Sequence, residues 1–475
     1  MSIASSVAPL TAVAGIVTTA LAVTGLRGIS IAMIVIAAVL VLFVVGYLAM
    51  ARHIENAGAF YAYIARGISR PAGVGASWVA LLAYNAFQLA AMGGVGAIGA
   101  PLIKDWFGVN LNWVVLSAIV WAIVAVLGVR DVGVSEKVLI VLVLAETLLM
   151  LIDSIAIVTS SGFHFSGAPL APSNLWGPGA GALLVIAATA FAGVEQGAVY
   201  VEESKDSRRT VPRATYGSII LIAAVYFFAS WVQISAGGTK VVDRAGKEGP
   251  DLFFNEAAVS MGNVALDVGH VFFLTSLVAA MIAFHNIIAR YTFALGREGV
   301  MPYFLGRTTA NGAPRNASVA QSVIAIAALL LWSIAGWDPL VTLFFWGGTS
   351  GGLGVLLLIS LTSAAVIGYF WRNHHGESAW HRIGAPVIAT ALLLGTSYLA
   401  LTNLSTLFGV DPNSGPAIIV PIAYAAIFLG GIGWGIALKS FGPSTYAGIG
   451  QGTRSAAGSS SLSSGLNDQP TGAHR

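Results

Sequence analysis

Four ionisable side chains lie within long apolar stretches of the chain: Glu146, Asp153, Glu195 and His285. A charge at the centre of a membrane helix costs roughly 2.5–3.5 kcal/mol on the insertion scale. Such a group either moves protons or ions or is satisfied by its neighbours. Glu146 and Asp153 are seven residues apart, about two helical turns, so they share one helix face. Glu146 falls near the middle of its apolar stretch, a place suited to carrying a proton. Asp153 falls nearer the end, where interfacial water is expected to meet it. His285 lies near the end of another stretch; it suits either titration near neutral pH or a hydrogen-bonded packing role.

Two apolar stretches carry residues that interrupt a helix. The first holds Pro9 and Gly15, and proline inside a helix removes a hydrogen bond and crowds the preceding turn. The sixth holds Gly193, Glu195 and Gly197. Interruptions at matching places, five spans apart, point to inverted repeats with a binding site between them. N–H groups freed at a half-helix start favour a carboxylate, and freed carbonyls favour an ammonium, so a zwitterionic amino acid suits both. Close helix packing also uses glycine, which leaves a purely structural reading open. Tyr84 and Gln88 are four apart on the third stretch and share a face; they suit either a cavity wall or a bond between helices. Trp346, Thr349 and Ser350 are open to the same two readings.

Soluble chemistries find no support. There is no G-x-x-x-x-G-K-[ST] phosphate loop for an ATP-driven pump and no H-E-x-x-H pair for that class of zinc protease. An enzyme activity, a cofactor, a bound metal and a nucleic-acid partner are not expected. The expected partners are a small-molecule substrate, an amino acid or amine, and the lipid bilayer. There is no cysteine, which excludes disulfides.

The elements that must hold these residues are membrane helices. Only 9% of the 475 residues are charged and 57% are hydrophobic, against about 25% charged in soluble domains. Apolar blocks of ~20 residues, enough to cross ~30 Å of hydrocarbon, recur along the chain. They cover 3–24, 31–50, 78–98, 113–127, 138–158, 179–200, 218–234, 271–288, 319–334, 340–370, 387–401 and 417–438. The reading is all-α and integral to the membrane, with about twelve spans. With the N-terminus cytoplasmic, 18 of the 23 basic residues fall in the inner connections, so both termini are expected in the cytoplasm and the plasma membrane is the expected location. Residues 1–440 form the membrane domain, with repeat one at 1–158, repeat two at 176–371 and extra helices at 387–438. Residues 441–475, rich in Gly, Ser and Thr, are expected to be a disordered cytoplasmic tail. Residues 237–262 are expected to be the longest outer loop.

Three stretches then resemble a known family. Phe191-Ala192-Gly193-Val194-Glu195, followed by Glu202-Glu203 and by Arg209-Thr210-Val211-Pro212-Arg213-Ala214, is similar to the sixth-helix signature of the amino acid–polyamine–organocation permeases. Asn56-Ala57-Gly58-Ala59-Phe60-Tyr61-Ala62-Tyr63 resembles their second inner loop, and the stretch from Ala289 to Pro302 resembles the segment after their eighth helix. The matches are in order and correctly spaced over nearly the whole chain outside the tail.

The resemblance implies a five-plus-five inverted-repeat fold with two further helices, and a substrate held by the broken parts of helices one and six. Substrate contacts would fall on Val13, Ala14 and Gly15 and on Thr189, Ala190, Phe191, Ala192 and Gly193, with Phe191 an aromatic gate. Many members have Gly-Ser-Gly where Val13-Ala14-Gly15 stands, so side-chain bulk enters the site here. Some members place a lysine in the fifth helix, at the position that aligns with Glu146. Proton coupling is assigned to Glu195 or Glu146, with Tyr84, Gln88 and His285 as weaker cavity candidates. A sodium-coupled carrier would need hydroxyls near helices one and eight; Thr275 and Ser276 are available, near the outer end of helix eight. Three classes follow: a proton-coupled or exchanging carrier of amino acids or amines, a sodium-coupled carrier of the same fold, and a receptor or channel that does not cycle.

Overall fold

A computed structural model describes residues 8–54, 56, 58–129, 132–160, 164–193, 207–309, 313–374 and 376–452. Among these there is no β-strand. The first half of the chain forms α1 (Thr11–Thr24), α2 (Ile29–Ala51), α3 (Ala59–Gly67), α4 (Arg70–Phe107), α5 (Trp113–Val129), α6 (Val132–Thr159) and α7 (Ala180–Thr189). The second half forms α8 (Ser207–Gly237), α9 (Val241–Glu248), α10 (Asp251–Met261), α11 (Asn263–Arg297), α12 (Arg315–Ile334) and α13 (Pro339–Arg372). It closes with α14 (Trp380–Thr402), α15 (Leu404–Phe408), α16 (Gly415–Phe441) and α17 (Pro443–Gly448). Nine described helices are long and apolar enough to cross a membrane; α1, α5 and α7 are shorter apolar helices.

Burial inverts the pattern of a water-soluble protein. On α6, Val141, Leu144, Leu148, Ile152 and Ile155 recur every three or four residues and are exposed, while Glu146 and Asp153 are fully buried. Such a helix is stable only where the outer face meets hydrocarbon. The chain is therefore a multi-pass integral membrane protein. Asp153 is not at a watery end of its helix, as its depth in the sequence suggested; its neighbours enclose it.

α4 runs through the middle of the bundle, packed against α11, α13 and α16. Ser69 caps it by accepting a hydrogen bond from the Ala72 N–H at 3.3 Å, and Gly108, at φ +70°, ends it. Its contact with α16 depends on glycine: a Cβ on Gly431 would lie 2.6 Å from the Gly75 Cα. At the start of α13, Asp338 accepts from the N–H groups of Leu340 and Val341 at 2.8 and 2.9 Å, so the helix begins at Pro339.

Three expectations need correction. The first helix does not unwind at Val13–Gly15: Thr11–Val17 is wound as a π-helix, with the wider turn that often marks functional sites, and its described part opens at Pro9. Residues 237–262 are not a loop but largely α9 and α10, held together by Arg244, which meets Glu248 at 2.6 Å and Glu256 at 3.2 Å. Ordered structure also continues past residue 440, through α17 to Gly452. Of the expected interruption of the sixth span, at Gly193, Glu195 and Gly197, Gly193 alone lies within the described residues: α7 stops at Thr189, residues 190–193 turn, and Gly193 has φ +108°.

Candidate functional site

A cavity of about 120 Å³ opens midway along the bundle, where α1, α4, α7, α11 and α13 meet. From α1 come Thr11, Gly15 and Thr19, which recur every four residues and so form one stripe. α4 contributes Phe87, Ala90 and Ala91 by the same spacing rule. Facing them, α11 contributes Ala280 and Phe284, and the Phe87 and Phe284 rings stack at 4.8 Å with 7° between their planes. Val185 and Thr189 from the last turn of α7, and Phe344, Gly348 and Thr349 from α13, complete the wall. The polar side chains among the described lining residues are Thr11, Thr19, Thr189 and Thr349.

A second cavity of about 420 Å³ shares Gly15, Thr19, Phe345, Thr349 and Leu407 with the first. Its far wall is the link from α9 to α10, including Lys247 and Pro250, so it forms a vestibule above the inner cavity. At the other end the inner cavity meets closely packed rings. Tyr84 lies 6.3 Å from Phe284 and 5.9 Å from Tyr291. The two ends of the cavity are thus built differently, one leading to space and the other to a packed aromatic column.

The sequence candidates divide around this cavity. Gly15 and Thr189 line it, while Val13 and Ala14 are fully buried in the π-wound turn behind. Phe191 is turned away: its ring packs 5.8 Å from Tyr226, and with Thr189 and Ala192 it borders a small separate pocket against α2, α13 and α14. It therefore does not gate the main cavity in this conformation. Ala190 is buried in the turn after α7, and Gly193 ends the described part of that turn. Glu195 lies outside the described residues.

Gln88 is fully buried, its side-chain N and O both lack hydrogen-bond partners among the described residues, and it does not line the cavity. The neighbouring residue, Phe87, faces it instead, so the expected face of α4 is one residue off. Tyr84 lies just beneath, in the aromatic column. His285 is buried, bonds to Ser318 of α12 at 2.8 Å and is not among the residues lining the cavity. Thr349 lines the cavity, whereas Trp346 donates to the Phe408 carbonyl at 3.0 Å and Ser350 donates to the Tyr424 hydroxyl at 3.4 Å.

Glu146 is not in the wall but directly behind it. Thr11, a cavity residue, donates its hydroxyl to Ser276 of α11 at 2.9 Å. The Glu146 carboxyl faces that Ser276 hydroxyl and the Leu10 N–H at the start of α1, yet neither closes a hydrogen bond onto it. The Tyr226 hydroxyl, also without a hydrogen-bond partner among the described residues, is close enough to interact electrostatically with the same carboxyl. An acid with room for a proton and two hydroxyls thus meets the first turn of α1. Ser276 was available to sequence reasoning, but its pairing with Thr11 required the fold.

An apolar bundle with a central cavity, a vestibule on one side and a buried acid beside the cavity is a multi-pass membrane protein with an internal space of small-solute size. The comparison with known proteins agrees: the amino acid permease family model matches residues 2–435. The chain belongs to that family, within the amino acid–polyamine–organocation superfamily. It is 25% identical over 384 residues to the low-affinity putrescine importer PlaP of Escherichia coli, covering 76% of this chain and 78% of that one. It is 26% identical over 311 residues to the histidine permease HisP of Lactococcus lactis, covering 59% and 61%. Over 208 residues it is 26% identical to the branched-chain amino acid permease BcaP of the same species, covering 43% and 44%.

Proposed function

We propose that the protein is a secondary carrier that moves amino acids by alternating access to the cavity among α1, α4, α7, α11 and α13. In this reading about twelve spans form two inverted five-helix repeats plus two further helices, in the plasma membrane with both termini cytoplasmic. The observation that carries it is the asymmetry of the cavity, which leads to a vestibule on one side and meets packed aromatic rings on the other. A carrier needs one side closed while the other is open. The stacked Phe87–Phe284 pair and the surrounding aliphatic side chains favour substrates with an apolar side chain. Relatives named for putrescine and histidine make charged and polar substrates the necessary competitors.

Proton coupling is assigned to Glu146, on its place behind Thr11 and Ser276. Glu195 keeps its candidacy on the sequence resemblance alone. One observation favours sodium as a second reading: the Thr11 and Ser276 hydroxyls and the Glu146 carboxyl converge from three helices, and hard cations take oxygen ligands.

The test is counterflow in proteoliposomes preloaded in turn with L-leucine, L-arginine, L-histidine or putrescine, each against the same compound labelled outside, with the other three as competitors. Saturable counterflow supports a carrier; a linear, unsaturated flux supports a channel, and no flux with any of the four overturns the reading. Uptake with an imposed proton gradient, or with sodium replaced by choline, assigns the coupling ion.

A further inference from the structure

We propose that residues 443–452 form a strap that bolts the carrier shut on the side opposite the vestibule, and that the strap must release before that side opens. The inference rests on the alternating-access reading for its meaning, but its geometry is independent of it. After α17 the chain turns back over α3 and the end of α11. Gly450 and Gly452 have φ +74° and +61°, a left-handed conformation that glycine adopts without strain. The curl aims both of their N–H groups at one carboxylate, Glu298: Gly450 donates at 2.7 Å and Gly452 at 2.9 Å. The same carboxylate accepts from the Asn56 side-chain amide at 2.7 Å and from the Tyr61 hydroxyl at 2.6 Å. A carboxylate offers about four acceptor positions, so this one is fully engaged. Glu298 is 4% exposed, and Tyr61 and Ile449 are fully buried. Further along the strap, Arg70 stacks over the Tyr446 ring at 5.2 Å.

The cluster joins three segments far apart in sequence: the segment before and into α3, the end of α11, which carries Glu298 itself, and the strap. They also stand at the foot of the aromatic column. Tyr61 adjoins Phe60, whose N–H donates to the Tyr291 hydroxyl at 3.3 Å; Tyr291 lies 5.9 Å from Tyr84, and Tyr84 lies 6.3 Å from cavity-lining Phe284. Phe284 and Glu298 are fourteen residues apart, about 21 Å along the helix axis. A path from the cavity through this column has to part α3 from α11. The Glu298 cluster holds them together, and two of its four donors belong to the strap. Charge-assisted hydrogen bonds of this kind are the strong ones, so the strap weights the closed state.

The chain has no cysteine, so a single Ala280→Cys reporter in the cavity wall can be labelled with an impermeant thiol reagent from either face of oriented vesicles. Three strap-weakened forms are compared: Glu298→Gln, a double Gly450→Val and Gly452→Val variant, and a chain ending at Phe441. A chain ending at Gly452 controls for the residues beyond. In the two substituted forms, hydrogen exchange of the 443–452 segment reports release of the strap. The expected result is faster exchange there together with labelling from the strap side raised about tenfold, the equivalent of one charge-assisted hydrogen bond, and slower labelling from the vestibule side. Released strap with unchanged labelling from both sides overturns the proposal and leaves the strap a passive staple. If the truncated chain does not fold, Glu298→Gln decides the question alone. Counterflow of the four compounds named above is run in parallel on wild-type vesicles without the reporter: its absence with all four counts against the carrier reading, whereas unchanged labelling alongside counterflow counts against the strap only.

Discussion

Gly348 offers a direct test of the cavity. It lies in the wall contributed by α13, and a Cβ built there meets nothing within 4 Å. A side chain added at Gly348 therefore projects into free space without displacing protein atoms. Glycine inside a helix is also about 1 kcal/mol less favourable than alanine, so the variants should fold at least as well as wild type. The series Gly348→Ala, Gly348→Val and Gly348→Leu fills the cavity of about 120 Å³ in steps. Forcing extra carbon into a packed space costs typically 1–3 kcal/mol. With substrate present, that strain falls on the complex and not on the free protein. At tenfold per about 1.4 kcal/mol, affinity should fall from roughly 5-fold for the smallest misfit to roughly 150-fold for the largest. The assay is equilibrium binding of whichever amino acid gives the strongest counterflow, with thermal unfolding measured in parallel. Gly395→Leu is the matched control, since it also lies within a helix with nothing near its Cβ but does not line the cavity. Wild-type affinity in Gly348→Leu, in a folded protein, would refute the assignment of this cavity as the binding site.

Four further outcomes are expected. Glu146→Gln should abolish stimulation of uptake by an imposed proton gradient while gradient-free counterflow continues; a full gradient response would remove Glu146 from the coupling path. Thr11→Val and Ser276→Ala each delete the 2.9 Å hydroxyl pair, lowering stability by about 0.6–1.5 kcal/mol and, if sodium couples, removing sodium dependence measured by choline replacement. Gly67→Ala should destabilise the protein by about 1–3 kcal/mol, read as a lower Tm, because its new Cβ would collide with the Ala365 carbonyl, which is backbone and cannot rotate away. A single cysteine at Gly246, exposed in α9, should react with an impermeant reagent on intact cells; labelling only after the membrane is opened would reverse the proposed orientation.

How much could be read in advance follows from where physics leaves marks in a sequence. The bilayer penalises every charge, so spans show themselves by depletion, and Glu146 stood out because it is an exception to it. The stop at Thr189 was legible because glycines cluster there. α9 and α10 were missed because membrane hydropathy does not register a polar helix, although Arg244 and Glu248 at the i, i+4 spacing were a usable sign. The strap was missed for a related reason: its glycines look like a disordered tail, and the carboxylate that orders them is 152 residues away at Glu298. The π-winding of Thr11–Val17 has no period in the sequence to reveal it. On α4, Tyr84 and Gln88 drew attention because polar groups are conspicuous, yet the cavity is lined by Phe87, Ala90 and Ala91, whose apolar surface merges with the background.

In the carrier proposed above, the first helix links substrate and coupling ion. Thr11, Gly15 and Thr19 give it a stripe facing both cavity and vestibule, and Leu10 and Thr11 turn its opening turn towards Glu146 and Ser276. Substrate and proton thus never need to touch. In that proposal one occupies the space in front of Thr11 and the other the carboxyl behind it, with the Thr11–Ser276 hydroxyl pair between. A shift of α1 that closed the vestibule would move Thr11 relative to Ser276 and change what the Glu146 carboxyl meets. Protonation would then alter the balance between open and closed states by the same free energy with which substrate alters protonation, because coupling between two sites is reciprocal. The strap enters the same balance from the far end of α11, the helix that carries Ser276, Phe284 and, just past its end, Glu298. Under the two proposals, proton, substrate and strap act on one pair of helices, α1 and α11, and each one's effect should be measurable as a change in the apparent strength of the other two.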